Sequence, residues 1–122
     1  MFGSGISLLS GCQRLQSEPA GSLLIENGHD LPHIIDIEIV SYSENGEIKT
    51  GSKTGEIPIE SGDTKRYPEY FDLSASYEVI ASIPGAEAVR VPYGRGGTSK
   101  KDNLVLLTIS ADGTFSGGLK SV

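Results

Sequence analysis

At 122 residues the chain has the length of a single domain, and 16 acidic against 10 basic residues give it a formal net charge of -6. This charge argues against general affinity for nucleic acid, because lysine and arginine are the residues that hold phosphates. The 37% hydrophobic and 21% charged content is that of a globular protein, and 16 glycines with 6 prolines indicate many turns.

The first twelve residues contain a short apolar run that ends in Leu9-Ser10-Gly11-Cys12, and Cys12 is the single cysteine of the chain. These four residues resemble a prokaryotic lipobox, whose cysteine is lipidated and becomes the mature N-terminus. A signal segment also has positive charges and an apolar run of about 7 to 15 residues, whereas no Lys or Arg precedes Cys12. Either residues 1–12 are the truncated end of an export signal with a lipobox, or they are an ordinary N-terminal segment with a free thiol. Residues 13–21 show no periodicity and are predicted to form a tether.

The stretch 23–42 contains the first two predicted strands. It begins with the apolar run Leu23-Leu24-Ile25 and continues through 27–32, a cluster of residues that favour turns. The second strand then alternates strictly, with Asp36 and Glu38 on one side and three isoleucines on the other. A period of two is typical of a strand that buries one face.

Further predicted strands follow, separated by turns. Asn45-Gly46 predicts a tight hairpin turn. We expect the returning strand, 47–59, to be loosened by its glycines, and Pro58 to lie on a sheet edge or at a bulge, because proline cannot donate to a ladder. The remaining predicted strands are 64–71, 75–83, 87–93, 104–109 and 114–116. The tail after Ser116 is expected to fray.

Seven or eight short strands at spacings of roughly 8 to 12 residues, with no stretch of helical periodicity, predict an all-β protein. We therefore expect an antiparallel β-sandwich over residues 22–118, immunoglobulin-like or cupredoxin-like in type and without a copper site. Its predicted core consists of Ile35, Ile37, Ile39, Tyr77, Val79, Ile83, Val89, Leu104, Leu106 and Ile109.

Five short motifs lie along the predicted strands and turns: Asn27, Pro32-His33, Asn45-Gly46, Ser61-Gly62-Asp63-Thr64 and Tyr77-x-Val79. Together they resemble the β-sandwich domain of small haloarchaeal cell-surface lipoproteins. In this chain Ser61 and Ala75 stand where the family pattern has Pro and Gly. The resemblance covers about Leu23 to Phe115. It implies an archaeal lipoprotein on the extracellular face of the cell membrane, and it implies no activity.

The histidines His29 and His33 are four residues apart and are the only two in the chain. A cupredoxin-like copper site uses two histidines, a cysteine thiolate and a weak axial ligand. Here the cysteine and methionine expected near the last strands are missing, because Cys12 lies next to the tether and Met1 is the first residue. We expect no metal and no cofactor, with His33 at a strand entry and His29 at a loop tip.

A basic, glycine-rich loop spans residues 94–103 of an otherwise acidic chain. Its backbone N–H groups and cations form a candidate site for a phosphate, a sulfated glycan or an acidic partner. The candidate ligand-binding residues are Arg95, Gly96, Gly97, Lys100 and Lys101. The alternative is a solvated hairpin loop, which would tolerate substitution because no buried group depends on it.

No catalytic constellation is present in the sequence. There is no G-x-S-x-G elbow and no thiol beside a histidine, and the carboxylates of Asp36 and Glu38 lie on an exposed strand face. We expect a non-enzymatic, lipid-anchored module of the cell envelope that is structural or binds a protein or glycan partner. The alternatives are a ligand-binding or redox accessory domain that uses loop 94–101 or the histidines, and a cytoplasmic interaction domain.

Overall fold

The computed structural model describes residues 19–42, 48–72, 75–94 and 100–122, which form eight strands and no helix. In chain order the strands are β1 (Leu23–Asn27), β2 (His33–Tyr42), β3 (Ile48–Ile59), β4 (Thr64–Tyr67), β5 (Ser76–Ser82), β6 (Val89–Tyr93), β7 (Asn103–Ile109) and β8 (Phe115–Ser121). The predicted all-β class is therefore confirmed. The predicted Asn45-Gly46 turn lies outside the described residues.

The strands form two four-stranded sheets, in the orders β4-β1-β7-β8 and β3-β2-β5-β6. Neighbouring strands are antiparallel except β1 and β7, which run parallel with Leu23 opposite Val105 and Asn27 opposite Ile109. The core lies between the two sheets, which confirms the predicted sandwich. Pro58 lies on β3, an edge strand, as its missing N–H predicted.

The inner faces of both sheets follow the alternation that the sequence shows. On β2 the side chains of Ile35, Ile37 and Ile39 are buried, whereas Asp36 between them is exposed. The buried core cluster comprises Leu23, Ile25, Ile35, Ile37, Ile39, Ile59, Phe71, Val79, Ala81, Ile83, Val91, Tyr93, Val105, Leu107, Ile109 and Phe115. Tyr77 and Val89, two predicted core residues, are partly buried and pack against this cluster.

Of the two predicted core positions on β7, Leu104 is buried as expected but Leu106 is only half-buried, and neither belongs to the core cluster between the sheets. Ile109 faces the core, so the period of two along the strand also turns Leu107 and Val105 inward and places Leu104 and Leu106 on the outer face. Leu104 is nevertheless buried and Leu106 half-buried, so this strand is covered on both faces. When every position of a run is apolar, the sequence does not indicate which face of the strand is buried. The inner face of β7 therefore could not be assigned from the sequence.

The carboxyl-terminal tail does not fray as predicted. It continues as β8 and pairs with β7. The end pairs of this ladder are Ile109 with Phe115 and Asn103 with Ser121. The N–H of Val122 then donates to the carbonyl of Asp102 at 3.0 Å. The sandwich consequently extends beyond the predicted boundary at residue 118.

Gly117 explains why glycines occur within β8. A Cβ built on Gly117 would lie 2.8 Å from Cδ2 of Leu107 and 3.2 Å from Cγ2 atoms of both Val89 and Val91. Because those valines belong to β6 of the other sheet, Gly117 lies where the two sheets close on each other. The missing side chain allows this close approach.

Replacing Gly117 by alanine is expected to lower the free energy of unfolding by about 1 to 3 kcal/mol, since the added methyl group overpacks this contact. Gly118 is the matched control, because a Cβ there meets nothing within 4 Å. Denaturant melts of Gly117→Ala and Gly118→Ala measure the difference. Equal stabilities would show that the two sheets are not in contact at Gly117.

The two ends of the sandwich are distinct. At the proximal end, where the amino-terminal segment enters, Gly21 donates its N–H to the carbonyl of Asn103 at 3.2 Å. At the distal end, where β1 and β7 finish, Gly28 donates its N–H to the carbonyl of Ile109 at 2.7 Å. The same end contains the start of β2 and the finish of β3, where His33 pairs with Ile59.

Candidate functional site

The sequence-predicted site residues fall into three groups. Cys12 and the loop residues Arg95, Gly96 and Gly97 lie outside the described residues. Lys100 and Lys101 lie just before β7 at the proximal end. The two histidines lie at the distal end, so the structure does not bring the two candidate sites together.

Lys100 is tied into the fold rather than directed at solvent. Its Nζ donates to the carbonyl oxygen of Ala75 at 2.7 Å, and its aliphatic stem lies against Gly94. Gly94 has φ of +82°, and a Cβ there would approach Cδ of Lys100 to 2.5 Å. The expectation that no buried group depends on this loop is therefore wrong for Lys100, because Ala75, which accepts its hydrogen bond, is buried. Anion binding by the loop stays a prediction.

We expect Lys100→Ser to lower the free energy of unfolding by about 1 to 2 kcal/mol, through loss of the hydrogen bond to Ala75 and of the packed stem. Lys101→Ser removes the same charge from an exposed neighbour and is expected to change stability by less than about 0.5 kcal/mol. Thermal melts of both variants test this. Two indistinguishable variants would mean that the Lys100 contact contributes nothing.

The proximal end is filled by aromatic side chains around Phe71, whose ring centroid lies 5.0 Å from that of Tyr77 and 5.3 Å from that of Tyr93. The Tyr93 hydroxyl lies 2.8 Å from the carbonyl oxygen of Lys100 and 2.7 Å from that of Asn103, and it can donate its hydrogen to either. Burial raises the pKa of Tyr93 above its ordinary value. This end is a packed structural element.

Asn27 organises the distal end. It is almost fully buried, and its Nδ2 donates to the carbonyl oxygens of Leu31 at 3.0 Å, Glu60 at 3.2 Å and Ile59 at 3.4 Å. Its Oδ1 accepts the backbone N–H of His29 at 3.0 Å. One side chain thus joins the β1–β2 loop to the end of β3, and the loop is fixed next to the sheet.

The two histidines contact each other directly. Nδ1 of His29 lies 2.8 Å from Nε2 of His33, while the ring centroids are 5.1 Å apart and the planes are inclined by 26°. His29 also packs on Gly113, where a Cβ would come within 3.3 Å of the ring.

This arrangement is that of an imidazole–imidazole hydrogen bond. The two nitrogens thus face each other at hydrogen-bonding distance. The residues that the structure describes contain no cluster of three or more His, Cys, Asp or Glu suited to a metal. The pair joins the loop to the start of β2 and leaves a surface beside it.

That surface is an open groove of about 600 Å³, which we call the distal groove. Its lining residues are Pro32, His33, Ile34, Pro58, Ile59, Glu60 and Pro84. Ile34 on its floor is 48% exposed, and Leu31 beside it is 56% exposed. These are the largest exposed aliphatic side chains inside the described loops and strands, so the groove is a candidate contact surface.

Sequence reasoning missed the distal groove. The signal was Ile34, which is out of phase with the buried isoleucines of β2 and so had to face outward. Pro58 lies opposite Ile34 in the register, and Pro84 follows β5 on the other side. No local pattern indicates that residues from three strand ends meet in one apolar row.

The charged groups near the distal groove are acidic. Asp36 and Glu56 lie directly opposite each other on β2 and β3, in the row next to Ile34 and Pro58. Asp112, in the turn before β8, has its pKa lowered to about 2, chiefly by a hydrogen bond from the Ser110 hydroxyl. The distal end therefore carries negative charge beside an apolar surface.

Comparison with known proteins adds little. The chain matches no protein-family model and no curated protein sequence. One solved structure, described as the NMR structure of the protein from Eubacterium rectale, is 13% identical over 86% of this chain and 89% of its own, with a TM-score of 0.39. A likeness this weak carries no argument about fold or function.

Across the described ranges, no helix has the length and apolar character needed to cross a bilayer.

Proposed function

We propose that the protein is a non-enzymatic β-sandwich module of the cell envelope, anchored by a lipid on Cys12, that binds a protein partner through its distal end. The observation that carries this proposal is the position of the distal groove. The amino-terminal segment enters at the proximal end beside Asn103, whereas the groove lies at the other end beside Ile59.

The separation of the two ends suits an anchored binding module. A chain tethered through residues 13–21 holds its proximal end nearest the membrane, and the strands then carry the distal end away from it. A strand rises about 3.3 Å per residue, so β7, from Asn103 to Ile109, sets the two ends about 20 Å apart. The apolar surface is thereby presented to a partner and not to the lipid.

The alternative is a ligand-binding or redox domain. The basic loop and the histidines support it less well than the distal groove supports the proposed binding module. Lys100 is bonded to the Ala75 carbonyl, and the ring nitrogens that face each other in the histidine pair are hydrogen-bonded. A binding function at the distal groove relies instead on an exposed apolar side chain, Ile34.

The anchor is tested with the gene expressed from its true start codon in an archaeal host. The parent is expected in the detergent phase with the mass of residues 12–122 plus lipid, because two lipid chains anchor a protein stably. Cys12→Ser is expected in the aqueous phase. A parent that remains aqueous, with Met1 present and the Cys12 thiol unmodified, contradicts the anchor and places the protein in the cytoplasm.

A further inference from the structure

We infer that the distal groove and the acidic rows beside it bind an extended protein segment in which one apolar residue is followed by cationic residues at alternate positions. This inference rests on the proposed binding function and names the chemistry of its partner. The surface lies on the outer face of the β3-β2-β5-β6 sheet. It is built of successive rows of outward-facing residues.

The first row is apolar. Register pairs Ile34 of β2 with Pro58 of β3, and Pro84 lines the same groove from the end of β5. Ile34 is half exposed although it belongs to a strand whose other isoleucines are buried. A bulky aliphatic side chain placed in this groove removes apolar surface from water on both partners.

The second and third rows are acidic. Asp36 pairs with Glu56, and two residues further along β2 comes Glu38, beside Thr54 and Ile80. These groups line a second depression, which follows the distal groove along β2. Among the residues whose side chains the structure describes, no Lys or Arg forms an ion pair with these three carboxylates, and Arg90, a cation on this face, lies 3.7 Å from Glu78.

The like charges of Asp36 and Glu56 explain why the partner must be cationic. Carboxylates directly opposite each other on neighbouring strands repel and reduce stability. A lysine or arginine from a partner relieves this repulsion and adds attraction of its own. With a net charge of -6, the chain also attracts a cationic segment at longer range.

The spacing of the rows sets the spacing of the matching residues in the partner, and their order follows for a segment that runs parallel to β2. Successive outward side chains on a strand are about 6.6 Å apart, which is also the spacing of alternate residues in an extended segment. A segment that runs parallel to β2 with its apolar residue over Ile34 therefore places the residue two positions later over Asp36. The residue four positions later lies over Glu38. The recognised order is apolar-x-cation-x-cation.

The test uses the full chain and fluorescein-labelled synthetic peptides in an anisotropy titration. A peptide with the core Leu-Ser-Lys-Ser-Lys is expected to bind saturably below about 1 mM. A control with the core Leu-Lys-Ser-Lys-Ser has the same composition but directs its cations to the opposite face, and it is expected to bind at least about tenfold more weakly. Equal binding of the two peptides, or no saturable binding by either, overturns the inference.

Two variants locate the contact. Ile34→Ser is expected to weaken binding of the first peptide at least about tenfold, and Asp36→Asn about threefold with a shallower salt dependence. Glu26→Gln removes a carboxylate from the outer face of the other sheet and is expected to leave binding unchanged. Melting curves check that each variant is folded. If Ile34→Ser is unfolded, the order dependence on the parent protein decides alone.

The remaining outcomes are distinguishable. Sedimentation velocity that shows self-association abolished by Ile34→Ser identifies a second copy of the chain as the occupant and overturns the inference. If the chain is not lipidated but discriminates between the two peptides, the inference about the groove stands and the proposed anchor is wrong. If the chain is lipidated but binds neither peptide, the proposed anchor stands and the inference about the groove is wrong.

Discussion

Ile37→Asp is expected to abolish cooperative thermal unfolding. Ile37 faces the core from the centre of β2, opposite Ala81 of β5, and is almost fully buried. A carboxylate at this position would be buried without a partner, at a cost of several kcal/mol. The total stability of a domain is only about 5 to 15 kcal/mol. Near-UV circular dichroism and calorimetry measure the loss of the folded state.

Glu38→Lys is the matched control for this substitution. Glu38 lies one position along β2 and faces outward, where a charged side chain reaches solvent. We expect its melting midpoint to remain within a few degrees of the parent, the size of a small surface effect. If Ile37→Asp also melts like the parent, β2 does not bury the face assigned to it.

Replacing Asn27 by alanine is expected to lower the free energy of unfolding by about 3 kcal/mol. The substitution removes the donor to the carbonyls of Leu31, Ile59 and Glu60 and the acceptor of the His29 N–H. Buried polar groups that lose their partner cost about 1 to 3 kcal/mol each. Chemical denaturation measures the difference.

Asn27→Asp separates the donor from the acceptor at the same site. It retains the oxygen that accepts from His29 but replaces the amide that donates to three carbonyls. We expect it to be at least as destabilising as alanine, because a buried carboxylate then faces carbonyl oxygens. Hydrogen exchange in the 28–32 loop is expected to rise in both variants. Unchanged exchange there would show that Asn27 does not hold the loop.

The fold was predictable where one face of a strand is polar. Ile35, Ile37 and Ile39 alternate with Asp36 and Glu38, so β2 and its inner face follow from the sequence alone. The same reasoning did not identify the inner face of β7, because four consecutive positions, 104–107, are all apolar. It also failed on β8, because glycine lowers strand propensity while Gly117 is required by the contact with β6.

The candidate site was predictable only in part. His33 was correctly placed at a strand entry, but its contact with His29 depends on the path of the loop that Asn27 fixes. The distal groove joins Pro32, Pro58 and Pro84, which are far apart in the chain, and only the strand register brings them together. Sequence periodicity gives the face of a residue but not its neighbours on adjacent strands.

The parallel pairing of β1 with β7 affects when the chain can fold. Leu23 pairs with Val105 on β7, so β1 cannot complete its ladder on that side until Val105 has left the ribosome. Closing such a long loop costs entropy before any contact compensates for it. Sandwiches dominated by distant pairings fold in milliseconds to seconds, and a nascent chain that ends before Asn103 is expected to leave the β7 side of β1 unpaired.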